Sequence, residues 1–138
     1  MADRRTALVL SPDHLADMVA HARAEFPNEC CGLLAGRDGR VLRVYRGRNV
    51  DESPYTYRLD ERQLLQFLRE MDNEGLDIVG IYHSHTASEA VPSRTDVARA
   101  FYPEAVYVII SLKNQQYPVV RGFRIADGAV AEEDVIVR

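Results

Sequence analysis

The sequence contains no apolar run that approaches the roughly 20 residues needed to cross a bilayer. Its N-terminus, MADRRTALVLSPDH, has two arginines but only a four-residue apolar stretch, which is too short for the core of a signal peptide. These absences predict a protein that has no membrane span and no secretory leader. We therefore expect a cytoplasmic location by default.

Positive charge is also in short supply, because the net charge is −4 and no stripe of lysine and arginine follows the chain. Nucleic acid is not an expected partner, since phosphate binding requires clustered positive charge. The composition is otherwise that of a soluble globular protein, with 46% hydrophobic and 28% charged residues. No repeat or linker divides the 138 residues, so we expect residues 1–138 to form a single domain with one core.

The sequence has only two cysteines, Cys30 and Cys31, and they are adjacent. Neighbouring side chains of an extended chain point to opposite faces, so these two cannot easily form a disulfide or hold one metal ion together. We expect at least one of them to be a small core residue. A thiol protease that combined Cys31 with His83 is disfavoured, because a thiol in a buried strand is inert.

Hydrophobic periodicity predicts an α+β fold, a mixed β-sheet with about three helices packed on it. The first helix is expected to begin after an N-cap at Ser11, and a second to begin after Asp60 and end at Gly75. A shorter third helix is expected from Ser93 to about Phe101. The segment DIVGIYHSH, between the second and third helices, is β-branched and predicts a buried central strand.

Two Asp-Gly pairs, at residues 38–39 and 127–128, predict hairpin turns. The first joins the strands of ECCGLLAGRDGRVLRVYRG. The second joins VVRGFRI to AVAEEDVIV, and we expect these two segments to complete one edge of the sheet. The segments ALVL and AVYVIISL are expected to form further strands.

Two of the four histidines lie one residue apart, in IYHSHTASEAVPSRTD. On a strand, residues i and i+2 share a face, so His83 and His85 project together. Zinc commonly takes histidine nitrogens with a carboxylate, and Asp96 on the following helix supplies a third ligand. Three protein ligands and one open position are typical of a catalytic zinc site, whose bound water has a lowered pKa.

Each part of this pattern also has a simpler interpretation. A His-x-His pair on a strand often binds no metal, and Ser93-x-x-Asp96 is what the N-terminus of a helix favours. Both interpretations of the serine and aspartate can hold together, because a cap can also fix a ligand. Spacing alone does not choose a general base, since both Glu29 and Glu89 are available.

The segment HSHTASEAVPSRTD resembles the signature of the JAMM (MPN+) metalloprotease family, which is His-Ser-His, seven residues, Ser, two residues, Asp. His83, His85, Ser93 and Asp96 occupy its positions, and PNECCGLLAG resembles the upstream segment that carries the family's glutamate, at Glu29. The likeness extends to SPYTYRLD and to YVIIS and GFRIADGAV. It is greatest to the short bacterial members that release cysteine from a ubiquitin-like sulfur-carrier protein.

This resemblance implies a JAMM/MPN, cytidine-deaminase-like fold and one Zn²⁺ per chain, bound by His83, His85 and Asp96. It implies that Glu29 is the general base and that Ser93 donates a hydrogen bond to the developing oxyanion. The implied reaction is hydrolysis after the C-terminal Gly-Gly of the carrier. The alternatives are a zinc hydrolase of another amide, a thioester or a thiocarboxylate in a biosynthetic pathway, and a non-catalytic scaffold.

The chain is short and shows no long insertion, which favours a small leaving group such as cysteine over a whole protein. A homodimer is left open by the sequence. His14 and His21 lie two turns apart on the first helix, too far for one metal ion, and we expect both at the surface. Tyr55 and Tyr57 are expected to pack in the core or on its rim, and a contact with substrate stays open.

Three arginines lie close together along the first hairpin and its exit, at Arg43, Arg46 and Arg48. The simplest interpretation is a solvated strand face. A surface that meets an acidic partner is the alternative.

Overall fold

A computed structural model describes residues 7–138 of the chain. Within this range the helices are α1 (Pro12–Glu25), α2 (Glu61–Glu74) and α3 (Arg94–Ala98). The strands are β1 (Leu8–Leu10), β2 (Cys31–Arg37), β3 (Arg40–Gly47), β4 (Asp77–His85), β5 (Val106–Ser111), β6 (Val119–Ala126), β7 (Ala129–Glu133) and β8 (Val135–Val137). The predicted α+β class, with a mixed sheet and three helices, is confirmed.

All of these strands belong to one sheet with the order β7-β6-β5-β4-β2-β3-β1-β8. The β4–β5, β1–β3 and β1–β8 pairs are parallel, and the other pairs are antiparallel. β4 lies between β2 and β5, which confirms that DIVGIYHSH forms a buried central strand. The end of this strand carries the histidine pair, so these two residues lie on a strand that is hydrogen-bonded on both sides.

The expectation that AVAEEDVIV completes one sheet edge is wrong. Its first half, β7, pairs with β6, whereas its second half, β8, pairs with β1 at the opposite end of the strand order. Only Asp134 separates the two halves. A twisted sheet of this width curls, and here the two ends come close enough for one bent segment to join them. Hydrophobic periodicity cannot report this long-range pairing.

The caps of the two long helices lie where the sequence predicts them. Ser11 accepts a hydrogen bond from the backbone N–H of His14, and Asp60 accepts two from the first turn of α2. Gly75 ends α2 in the left-handed conformation, with φ 67°, which glycine adopts without a steric penalty. These signals are local, and they suffice to place α1 and α2.

The third helix begins after Ser93 as predicted, but it ends at Ala98 and does not reach Phe101. Contacts outside the helix take over at this point. The Arg99 guanidinium donates to the backbone carbonyl of Tyr57, and the backbone N–H of Tyr102 donates to the hydroxyl of Tyr107. The backbone N–H of Tyr102 is thus satisfied outside the helix.

The two faces of the sheet are covered by different helices. α1 packs on the face that carries Tyr82, Cys30 and Leu34, whereas α2 packs on the face that carries Leu33 and Ile81. Both cysteines are buried and free, as expected for core thiols. Because side chains alternate along β4, the histidines that follow Ile81 at intervals of two lie on the face of α2.

His21 does not lie at the surface, so the prediction for the histidines of α1 is wrong at this position. Its side chain is only 3% exposed, and its Nδ1 lies 2.7 Å from the hydroxyl of Tyr82. Burial lowers the pKa of His21. The hydroxyl of a residue on β4 thus supplies the polar partner that allows an imidazole to face the sheet. His14 is partly exposed and joins the cap of α1.

The three arginines of the first hairpin and its exit are exposed as predicted, but they do not share one strand face, because Arg43 pairs with α2 and Arg46 with α1 on the opposite face of the sheet. Each forms an ion pair within the chain; the pairs are Arg43–Glu74, Arg46–Asp17 and Arg48–Asp60. These internal partners satisfy the positive charges, so no acidic partner is needed to explain them. None of the helices within residues 7–138 has the length and apolar character required to span a membrane.

Candidate metal centre

The end of β4 and the first turn of α3 bring three predicted ligands together. His83 Nε2 lies 3.2 Å from His85 Nε2 and 3.1 Å from Asp96 Oδ2, and the latter two atoms are 2.9 Å apart. All three side chains are buried. The i, i+2 spacing on a strand and the position of Asp96 in a helix turn therefore produce one compact cluster of donor atoms.

This cluster fits a divalent metal ion. Two imidazole nitrogens and one carboxylate oxygen are a donor set that zinc takes in catalytic sites, and the three atoms converge on one point. Beside them, Glu29 is 3% exposed, and its Oε1 has no hydrogen-bond partner among residues 7–138. A buried carboxyl oxygen without a partner is costly unless it serves a ligand or the reaction. The residues present thus match a metal with a reactive fourth position.

Ser93 and Asp96 form a capping box at the start of α3. The Ser93 Oγ accepts from the backbone N–H of Asp96 at 3.0 Å, and Asp96 Oδ2 accepts from the backbone N–H of Ser93 at 2.9 Å. The helix-cap interpretation is therefore confirmed, and the same carboxylate oxygen also faces the two histidines. The cap fixes where Asp96 points, and it leaves the hydroxyl hydrogen of Ser93 available to donate.

Asp96 and the two histidines shift each other's pKa values. Burial alone would raise the pKa of Asp96, but its hydrogen bonds with His83 and His85 hold that pKa well below the ordinary value. Burial lowers the pKa of His83, against the attraction of Asp96, whereas at His85 the hydrogen bond with Asp96 outweighs burial and raises the pKa. Asp96 is thus held in the charged form that binds a metal.

The tautomer of His85 is set by a backbone group. Its Nδ1 lies 2.8 Å from the carbonyl oxygen of Glu89 and donates to it, so Nε2 keeps its lone pair for the cluster. The Glu89 side chain itself is 74% exposed and pairs with Lys113. The two candidate bases therefore differ in burial. The carboxylate of Glu89 faces solvent and only its backbone carbonyl contacts the cluster, whereas Glu29 is buried.

Glu29 lies just before β2, on the side of the metal cluster. Burial raises the pKa of Glu29 to about 8; His85 opposes this shift and the Asp96 carboxylate adds to it. A buried carboxyl group whose pKa is shifted beside candidate metal ligands is a candidate for acid–base chemistry.

The structure does not support a thiol nucleophile. Cys31 pairs with His83 across the β2–β4 ladder, but its side chain is 1% exposed. Burial raises the pKa of the Cys31 thiol, so the reactive thiolate is disfavoured.

Two further residues near the cluster are Tyr57, whose role the sequence left open, and Asn49, which the sequence did not single out. The Tyr57 ring stacks on His83 with a centroid distance of 4.4 Å. Tyr55 is 78% exposed, so the prediction that it packs in the core or on its rim is wrong. Tyr57 thus packs against a candidate ligand, as the rim interpretation expects. The Asn49 side chain bonds to the carbonyl of Glu29. A single asparagine in a loop gives no periodic signal by which this contact could be predicted.

Comparison with known proteins agrees with the geometry. The sequence model of one protein family, the prokaryotic homologues of the JAB domain, matches residues 11–125. CysO-cysteine peptidase from Mycobacterium tuberculosis is 47% identical over 132 residues, which cover 94% of this chain and 90% of that protein. Desampylase from Pyrococcus furiosus is 30% identical over 114 residues, which cover 83% of this chain and 81% of that protein.

A solved structure is similar along nearly its whole length. The solution structure of protein DSY2949 from Desulfitobacterium hafniense has a TM-score of 0.87 at 41% identity, covering 95% of this chain and 92% of that one. The resemblance to the JAMM metalloproteases, stated from the His-Ser-His segment, is confirmed. Since the family model spans most of the chain and the relatives align along it, this protein belongs to the prokaryotic JAB-domain family.

Proposed function

We propose that this protein is a zinc-dependent peptidase that hydrolyses the bond after the C-terminal Gly-Gly of a ubiquitin-like sulfur-carrier protein and releases cysteine. The convergence of His83, His85 and Asp96 beside the buried Glu29 carries this proposal. The similarity to a CysO-cysteine peptidase over 94% of the chain supports the substrate. A non-catalytic scaffold would not require this donor set.

In this mechanism the metal ligands are His83, His85 and Asp96. When bound, zinc supplies a Lewis acid that polarises the scissile carbonyl and lowers the pKa of water. Glu29 accepts a proton from the attacking water and returns it to the departing amine nitrogen, which would otherwise leave as a poor, unprotonated amide. Ser93 donates its free hydroxyl hydrogen to the oxyanion, a contact worth about 3 kcal/mol in comparable sites.

An apolar cleft beside the site offers a place for the carrier tail. The cleft measures about 510 Å³, and Leu33 and Ile81 line it. Ile81 precedes His83 by two residues on the same face of β4, and Tyr57 both lines the cleft and stacks on His83. An extended tail that lies in this cleft would therefore lead to the proposed metal ligands.

The direct test is the intact mass of a sulfur carrier that ends in Gly-Gly-Cys, after incubation with the zinc-loaded protein. We expect the loss of one cysteine residue, and we expect a chelator to abolish this loss. A carrier that ends in Gly-Gly serves as control and should keep its mass. An unchanged Gly-Gly-Cys carrier would overturn the proposed substrate and favour another amide, a thioester or a thiocarboxylate.

The assignment of the cleft is tested at Phe101, which lies on its rim with its side chain 76% exposed. We expect Phe101→Ser to raise KM for the carrier roughly fivefold at unchanged kcat, since partial burial of this ring is worth about 1 kcal/mol. Tyr117→Ser is the matched control, because Tyr117 is 73% exposed and does not line the cleft. Equal effects of the two variants would refute the assignment.

Zinc as the physiological metal, a role in cysteine biosynthesis and a cytoplasmic location belong to the same proposal. Metal content of the purified protein tests the first point. Stoichiometric zinc is expected, and a preparation active without any metal would contradict it.

A further inference from the structure

We propose that Asn49 is a positioning residue that holds Glu29 in place relative to the metal ligands, an inference that rests on the proposed hydrolase function. Asn49 follows β3 and forms an isolated bridge with Leu59. Its amide nitrogen donates to the carbonyls of Glu29 and Thr56, each at 3.0 Å. Its amide oxygen accepts from the backbone N–H groups of Asp51 and Arg58, each at 3.0 Å.

These four contacts use the full hydrogen-bonding capacity of one amide, two donors and two acceptor positions. Each partner is a backbone group, with two carbonyls at one end of the amide and two N–H groups at the other. The orientation of the Asn49 amide is thereby determined. In a flipped amide the oxygen would face two carbonyl oxygens and the nitrogen would face two N–H groups. No other side chain of this size presents two donors and two acceptors in this arrangement.

The backbone of Glu29 depends on the loop that Asn49 organises. β2 begins at Cys31, so Glu29 lies outside the sheet ladder. Its N–H donates to the carbonyl of Ser53 at 2.9 Å, and its carbonyl accepts from Asn49. The Oε1 atom of Glu29 has no partner within residues 7–138. No bond to that oxygen therefore directs the carboxyl group, and the loop at residues 49–58 sets the position of the main chain that carries it.

The same loop also contacts the strand that carries the ligands. Tyr57 stacks on His83, and the carbonyl of Pro54 accepts a hydrogen bond from Thr86, the residue after His85. The loop thus touches the candidate base on one side and the candidate ligands on the other. Asn49 ties its two ends together, so loss of these bonds changes the distance from base to metal. A displacement of about 1 Å is enough to lower turnover roughly a hundredfold.

The variant Asn49→Asp tests this role selectively. It keeps an oxygen for the N–H groups of Asp51 and Arg58, but it replaces both donors with an oxygen that faces the carbonyls of Glu29 and Thr56. We expect kcat to fall roughly ten- to a hundredfold, with KM for the Gly-Gly-Cys carrier and zinc content unchanged. A rise in KM at unchanged kcat would overturn the proposal, since Asn49 would then only shape the substrate surface.

Asn114→Asp is the matched control, because among residues 7–138 Asn114 bonds only through its amide oxygen, which accepts from the backbone N–H groups of Gln116 and Tyr117. It should turn over at the wild-type rate. A double variant then separates a positioning role from general loosening of the fold. In a Glu29→Gln background, Asn49→Asp should cause no further loss of turnover. A further loss of the same size would show that Asn49 does not act through Glu29.

A readout without substrate keeps this proposal distinct from the proposed function. In Asn49→Asp, the backbone amide of Glu29 should exchange with deuterium faster, while that of Leu34 in β2 stays protected. Equal exchange rates in variant and wild type would overturn the positioning role, even if the carrier proved to be the wrong substrate. If Asn49→Asp fails to fold, Asn49→Ser takes its place, since it removes both ends of the amide without adding a charge.

Discussion

Replacing Glu29 by glutamine is expected to remove most turnover while zinc stays bound. The proposed ligands His83, His85 and Asp96 are untouched, but the amide of glutamine cannot accept a proton from water or return it to the leaving amine. General acid–base catalysis of this kind contributes about 10² to 10⁴ in rate. The measurement is kcat on the Gly-Gly-Cys carrier beside the zinc content of each preparation.

Glu89→Gln is the matched control for this result. Its carboxylate is 74% exposed and pairs with Lys113, whereas its backbone carbonyl, which orients His85, survives the substitution. We expect near-normal turnover. Full activity of Glu29→Gln together with an inactive Glu89→Gln would transfer the role of base to Glu89, and the burial of Glu29 would then need another explanation.

Replacing Asp96 by asparagine is expected to weaken zinc binding strongly. A neutral amide is a poorer ligand than a carboxylate, and Asp96 Oδ2 lies within 3.1 Å of both histidine nitrogens. Changing an outer partner of a metal ligand already costs about 10- to 100-fold in affinity, so loss of a direct ligand should cost at least about a hundredfold. Competition with a chelator of known affinity measures the change.

Asp60→Asn is the control for the helix-capping role of Asp96. Asp60 caps α2 as Asp96 supports the cap of α3, but it is not part of the metal cluster. Asparagine is a good cap residue, so this variant should fold normally and bind zinc as the wild type does. If Asp96→Asn also bound zinc normally, Asp96 would keep only its structural role in the cap.

The cluster of candidate metal ligands was predictable because the signals that place its residues are local. His83 and His85 share a face through the two-residue period of a strand, and Ser93 and Asp96 belong to one helix turn. The general base could not be chosen from local signals. Glu89 is nearer in sequence to the histidines, and only the family resemblance favoured Glu29. The structure supplies a physical reason, since β2 lies beside β4 and brings the preceding glutamate to the buried side of the cluster.

Errors in the predicted structure fall where distant segments decide the outcome. His21 is buried because Tyr82, far along the chain, offers it a hydroxyl group. The third helix stops at Ala98, and the backbone N–H of Tyr102 bonds instead to the hydroxyl of Tyr107 on β5. Neither contact can be predicted from the local sequence pattern, since hydrophobic periodicity and helix capping depend only on residues within one turn or one strand.

The sequence by itself determined the fold class, the caps of the long helices and the four residues of the His-Ser-His and Ser-x-x-Asp pattern. The physical reason is that side-chain period and capping chemistry act over a few residues. Only the tertiary structure decided which glutamate lies beside the ligands, how Tyr57 packs on His83 and how one bent segment joins both ends of the sheet. The hydrogen bond from Asn49 to Glu29 belongs to the same group, because it joins the loop after β3 to the segment that precedes β2.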